Sequence, residues 1–162
     1  MTDEAVTIEK SSREAAPQPE VRLGLLEDFV GFYLRLAYES AFHDFSDVLG
    51  PDSLKPGNFA LLSLIFENPG ITQTVLARAS GRDKSSVTAG LRQLEDKGLI
   101  ERIRLEDDRR SYASHVTAEG RVVYDRIAVK ARIHTGRLEK IIGPDRMPVL
   151  MSALKDIARG LS

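Results

Sequence analysis

Between Arg78 and Arg92 the chain carries a dense set of groups able to hydrogen-bond outward: Arg82, Lys84, Ser85, Ser86, Thr88 and Arg92. Val87, Leu91 and Leu94 sit at i, i+4 and i+7, the spacing of a helix with one buried stripe. At about 100° per residue, Ser85, Ala89 and Arg92 then point the other way, with Ser86 and Thr88 on the flanks. Small side chains admit a helix into a groove, and hydroxyls can meet base edges or phosphates. The helix N-terminus, capped by Asp83, also favours anions. Four cations (Arg78, Arg82, Lys84, Arg92) stand against the one carboxylate of Asp83. An ordinary solvated helix face has the same residue types, so this stretch alone leaves both readings open.

A second charged cluster, Glu106-Asp107-Asp108-Arg109-Arg110-Ser111, lies between two stretches that read as strands, Leu99–Leu105 and Tyr112–Thr117. One reading has Asp108 orienting one arginine and leaving the other to enter a narrow minor groove. The other reading is a solvated turn.

The surrounding elements must hold these two clusters. Thr72 is placed to cap a helix whose inner face is Val75, Leu76 and Ala79, and Ser80-Gly81 makes the turn into the next helix. A short helix, a Gly-containing turn and a second helix form the unit that sets a recognition helix in the major groove. Upstream, Pro56 opens an apolar helix with Phe59, Leu62, Leu64, Ile65 and Phe66, stopped by Asn68-Pro69-Gly70. Glu20 to Leu49 reads as helical, with an apolar arc too wide for one small core: one reading sets one side against its own domain and the other against a partner subunit, and the other reading is a single buried helix in a monomer. Downstream, Thr117 caps a long helix to about Gly143, and Pro144 opens a final helix bearing Met147, Leu150, Met151, Leu154, Ile157 and Leu161. These outer helices exceed what a small winged domain needs, and a two-fold dimer on a pseudo-palindromic site is the economical explanation.

At 162 residues and 42% hydrophobic, the chain supports one real core. Its net charge of −1 means that any affinity for nucleic acid comes from a local basic surface. The absence of cysteine removes disulfides and thiolate chemistry. Residues 1–19 are acidic and polar and are expected to be a disordered tail. No signal peptide or membrane span is visible, which fits a cytoplasmic protein without membrane partners. The three histidines, His43, His115 and His134, lie on different elements, with no metal-ligand spacing, phosphate loop or triad. We expect no enzyme, no metal and no cofactor.

The run GLIERIRLEDDRRSYASHVTAEG resembles the wing and following helix of the MarR family of bacterial regulators, and DKSSVTAGLRQLEDKGLI resembles its recognition helix. The resemblance covers roughly residues 21–160. It implies a mainly α fold with a small β-hairpin wing: a winged helix-turn-helix (51–117) with a helical dimerisation region (20–50 and 118–162). It also implies an obligate homodimer on double-stranded DNA. On this resemblance Ser85, Ser86, Thr88 and Arg92 fall on the recognition face, and Arg82 and Lys84 of the local cationic set join them as expected DNA-binding residues. Asp108, Arg109 and Arg110 fall to the wing, with Arg110 the inserted arginine, Asp108 its orienting partner and Arg109 the rival for that role. Such proteins usually repress and are released by a small aromatic effector held between the dimer helices and the winged domain. Tyr38, Phe42, Phe45, Phe59, Leu62 and Phe66 would supply the walls, and His43 and Asn58 the polar points. Core packing is the other reading of those aromatics. The stretch LKPGNFALLSLIFENPGITQTVLARASGRDKSS is similar to regulators of hydroxycinnamate breakdown, which respond to aryl-CoA thioesters; Arg35 and Lys55 would then be candidates for the phosphates. A winged-helix protein-interaction module without DNA binding is the alternative.

Overall fold

The computed structural model describes residues 21–50, 54–106 and 111–161. After a short 3-10 turn, Gly24–Asp28, the order is α1 (Val30–Leu49), α2 (Pro56–Glu67), β1 (Ile71–Thr72), α3 (Gln73–Ser80), α4 (Lys84–Asp96), β2 (Ile100–Arg104), β3 (Tyr112–Val116), α5 (Ala118–Ile142) and α6 (Met147–Gly160).

The core forms around α2. Pro56 presets its first turn, and Leu61, Leu62 and Ile65 have no exposed surface. A helix this apolar must be covered on several sides, and α2 packs against α1, α3, α4, α5 and β3. Leu76, Val87, Leu91, Leu94 and Ile127 complete the cluster.

Two left-handed glycines set the recognition unit. Gly81, at φ 63°, ends α3, and Arg82 N–H then reaches back to the Ala77 carbonyl at 3.2 Å. Gly98, at φ 68°, ends α4, where Leu99 N–H donates to Leu94 O at 2.9 Å and Gly98 N–H to Glu95 O at 2.8 Å. That pair of bonds is a Schellman closure, and the apolar pair it brings together, Leu94 and Leu99, is buried. The chain thereby turns from α4 directly into the first wing strand.

The sheet has three strands in the order β1-β3-β2, all antiparallel. Ile71 pairs with Ser114 and Thr72 with Ala113, which adds a strand to the expected hairpin. Thr72 stands at the N-cap of α3 but makes no side-chain cap bond. The inner face of α3 is Leu76 and Ala77, whereas Val75 and Ala79 are exposed, so the expected face is corrected by about one residue in phase. Thr117 does cap α5: its Oγ1 accepts from Gly120 N–H at 3.0 Å and donates to Gly98 O at 2.6 Å. Pro144 lies in a turn, and the last helix begins at Met147 with Pro148 in its first turn.

α1 and α5 run antiparallel. Lys130 Nζ donates to Leu49 O at 2.5 Å, while Asp44 takes His134 Nδ1 at 2.7 Å and an Arg137 N–H at 2.6 Å. His134 also stacks on Phe45, with ring centroids 5.0 Å apart. The bond from His134, then that from Arg137, holds the Asp44 carboxyl below its ordinary 3.8. A lowered folded value stabilises the fold above pH 3.8, and this contribution fades as pH falls through the folded value. Asp44→Asn is therefore expected to lower the melting midpoint at neutral pH, with the gap from the parent protein closing as pH falls below 3.8. Thermal melts across that range check it; a gap independent of pH would remove the charge from the explanation.

Candidate nucleic-acid interface and adjoining cavity

Val87, Gly90, Leu91 and Leu94 turn α4 inward, and Lys84, Ser85, Thr88, Ala89 and Arg92 are left exposed on it. Arg78 is exposed in the last turn of α3. The outward face is therefore polar, small and cationic, as its spacing predicts. Ser86 is half-buried.

Asp83 occupies the N-terminus of α4. One of its oxygens accepts from Ser86 N–H at 2.8 Å and from the Ser85 hydroxyl, and the other accepts from the Ser86 hydroxyl at 2.5 Å. These bonds, the Ser85 hydroxyl first, hold the Asp83 carboxyl far below the usual carboxylate range. The expectation that this helix end attracts an anion is corrected: the protein's own carboxylate already sits there. Thr88 donates to Lys84 O at 2.7 Å and accepts from Gln73 Nε2 at 2.6 Å, which ties α4 to α3.

Arg82 departs from the rest of the cationic set. It is half-buried and donates to Gly57 O at 3.2 Å, bracing the α3–α4 turn on the start of α2. The wing is braced too: Arg102 Nε lies 3.1 Å from Glu95 Oε2 near the end of α4, and its guanidinium sits 5.2 Å from the Tyr112 ring centroid. This brace was not read from sequence, because its partners lie on three separate elements. The wing-tip residues Asp108, Arg109 and Arg110 fall outside the described residues.

A cavity of about 670 Å³ opens between α1, the start of α2 and α4. Tyr38 and Phe42 form its aromatic wall, with ring centroids 5.8 Å apart; Lys55 and Arg82 bring cations, and Asn58 and Gln93 amides. Asn58 is buried and donates to Gln93 Oε1 at 2.7 Å. Gly90 lines the same space; a Cβ there would lie 2.6 Å from Leu61 Cδ1 and 3.1 Å from Asn58 Oδ1. A glycine inside a helical pattern is the sequence signal that could have located this close approach.

Three of the eight expected lining residues, Tyr38, Phe42 and Asn58, meet here. Leu62 is fully buried in the core instead. Phe45, Phe59 and Phe66 belong to an aromatic ladder with Tyr124 and His134, in which Phe66 and Tyr124 stack at 4.1 Å. His43 is exposed, with Asp47 3.9 Å away. Arg35 pairs with Glu39 at 2.9 Å on the surface, and Lys55 is the candidate cation that reaches the cavity. Among the described residues no group of three or more acidic, histidine or cysteine side chains is arranged to hold a metal, and no helix is long and apolar enough to cross a membrane.

Residues 54–112 match the MarR family. The chain is 38% identical over 98 residues to a putative transcriptional regulatory protein for the hcr operon of Thauera aromatica; the match spans 60% of this chain and 59% of that protein's length. Among solved structures, the transcriptional repressor CouR bound to a 23-mer DNA duplex is similar with a TM-score of 0.79 and 35% identity, covering 86% of this chain and 99% of that one. CouR bound to p-coumaroyl-CoA gives a TM-score of 0.78 and 33% identity, with the same coverage. These relatives are transcriptional regulators, not enzymes. With the helix-turn-helix, the hairpin wing and a relative matched over nearly its whole length, the chain belongs to the MarR family.

Proposed function

We propose that the protein is a homodimeric repressor that binds a pseudo-palindromic duplex and releases it on binding an aromatic acid or an aryl-CoA thioester of the hydroxycinnamoyl type. The observation that carries this reading is the shared wall of the cavity: Ser86, Ala89, Gly90 and Gln93 belong to α4 itself, opposite Tyr38 and Phe42 of α1. A ligand between these helices bears directly on the element that enters DNA. Two recognition helices must stand about 34 Å apart to read successive major grooves. An effector that binds better to another spacing shifts the population away from DNA, by no more than its difference in affinity for the two states.

The cavity chemistry fits that ligand class. An aryl ring stacks against Tyr38 and Phe42, and a carboxylate, or the phosphates of a CoA ester, need cations of the kind Lys55 and Arg82 supply. The similarity to a repressor whose structure holds p-coumaroyl-CoA favours the thioester over the free acid. The first and last helices supply the dimer surface, since Leu25, Phe29, Val149, Leu154 and Leu161 are all exposed.

The test is selection of bound duplexes from random DNA, repeated with p-coumaric acid and with p-coumaroyl-CoA. Retention of a two-fold sequence that the thioester abolishes is expected. Retention unaffected by either compound would overturn the effector assignment, and no duplex retained at low salt would favour a protein-interaction module. Within this reading Arg92→Ala should lower the slope of log affinity against log salt by about one if the guanidinium meets a phosphate. If it meets a base instead, preference at one position should relax. Unchanged slope and unchanged preference in a fluorescence-anisotropy titration would exclude Arg92 from the interface.

A further inference from the structure

We infer that Ser85 reads an exocyclic amino group, adenine N6 or cytosine N4, and that the serine hydroxyls of the recognition helix do not contact phosphates. The inference rests on the placement of α4 in the major groove proposed above.

The argument is one of proton accounting. A serine hydroxyl has one proton to donate and two lone pairs with which to accept. The Asp83 carboxyl is held far below the usual range, so it stays ionised and can only accept. Both serine hydroxyls contact it: Ser85 on one oxygen, Ser86 on the other at 2.5 Å. In each contact the proton must come from the serine. Ser85 is exposed, so it shows the groove lone pairs only. The hydroxyl proton of Thr88 is likewise committed, to Lys84 O at 2.7 Å, and its oxygen already accepts from Gln73.

Phosphate oxygens accept and do not donate. A phosphate beside Ser85 would meet lone pairs and the ionised Asp83 behind them. Contacts from this unit to the DNA backbone therefore fall to exposed cations such as Arg78 and Lys84. In the major groove the donors are adenine N6 and cytosine N4, whereas guanine O6 and N7 and thymine O4 are acceptors. A lone-pair-only serine thus discriminates A or C from G or T at the position it faces. Next to it, the methyl of Ala89 is exposed and suited to a thymine C5-methyl.

The test uses the full chain and the duplex that it selects from random DNA. Within one half-site, each adenine is replaced in turn by purine and each cytosine by 2-pyrimidinone, which delete only the amino group. One such deletion should weaken binding of the parent protein about 3- to 10-fold, the range of a single hydrogen bond. Ser85→Ala should bind that modified duplex and the unmodified one equally. The variant should fold, because the site is exposed and alanine is the better helix former. Two results would overturn the inference: Ser85→Ala weakening every duplex alike with a reduced salt slope, as a phosphate contact would, or an amino-group penalty as large in Ser85→Ala as in the parent. Failure of the parent to select any duplex would remove the groove placement itself, and the inference with it.

Discussion

Gly120→Ala lowers the melting midpoint by roughly 10 °C, although alanine is the better helix former. Gly120 lies in the first turn of α5, where helix propensity alone would favour alanine by about 1 kcal/mol. A Cβ at this position would lie 2.0 Å from Leu99 O, 2.9 Å from Leu99 C and 2.8 Å from Val116 Cγ1. Two of those atoms are backbone, so no rotamer change clears them. Either the start of α5 moves off the wing or the wing strand moves off α5. Both movements strain the Thr117 cap, which holds Gly120 N–H and Gly98 O together. Overpacking of this kind costs about 1–3 kcal/mol and loss of a cap about 1 kcal/mol, which after the propensity gain leaves about 1–3 kcal/mol, and a backbone atom only 2.0 Å away puts the loss at the upper end of that range. At 2–4 °C per kcal/mol for a chain of this length, that gives the stated drop. Gly136→Ala on the same helix is the control: nothing stands within 4 Å of its Cβ, so its midpoint should hold or rise slightly. Equal midpoints for the two variants in differential scanning calorimetry would show that the α5–wing contact tolerates a methyl group.

That contact was not legible in the sequence, and the reason is physical. Periodicity reports which face of a helix is apolar, so the inward stripe Val87, Leu91 and Leu94 and the outward Ser85 and Arg92 could be read directly. It does not report which distant element covers a face. The family resemblance put Phe45, Phe59 and Phe66 in a ligand wall, yet Tyr124 and His134, from a helix far along the chain, stack on them. Short elements fared worst. α3 has eight residues, too few for its stripe to fix a phase, and tertiary packing chose Leu76 and Ala77. β1 has two residues and exists because β3 pairs with it. At Asp83 the capping role was legible. The capture of both neighbouring hydroxyls was not, because it depends on rotamers rather than residue types.

Leu154→Glu is expected to separate the proposed dimer into single chains at micromolar concentration and to weaken operator binding by two orders of magnitude or more. No residue of α6 is buried, and Leu150, Met151, Leu154 and Ile157 line it at three- and four-residue spacing with exposed surface. An exposed apolar stripe of this kind marks an interaction face, and a two-fold partner covers it with the same stripe. In that arrangement one substitution is made twice. Each new carboxylate loses water without gaining a cation, a cost of several kcal/mol per ion. Loss of the second reading head removes the effective concentration that lets one bound half-site promote the other, worth 10²- to 10⁴-fold. Because the substitution lies outside the core and far from Ser85 and Arg92, the single chain should keep its helix content, which circular dichroism reports. Sedimentation velocity would then give a lone subunit, and anisotropy on the selected duplex a weak, half-site affinity. An unchanged sedimentation coefficient with unchanged affinity would mean that α6 is not where the two copies meet. The 3-10 turn and α1, with Leu25 and Phe29 exposed, would then be the next face to charge.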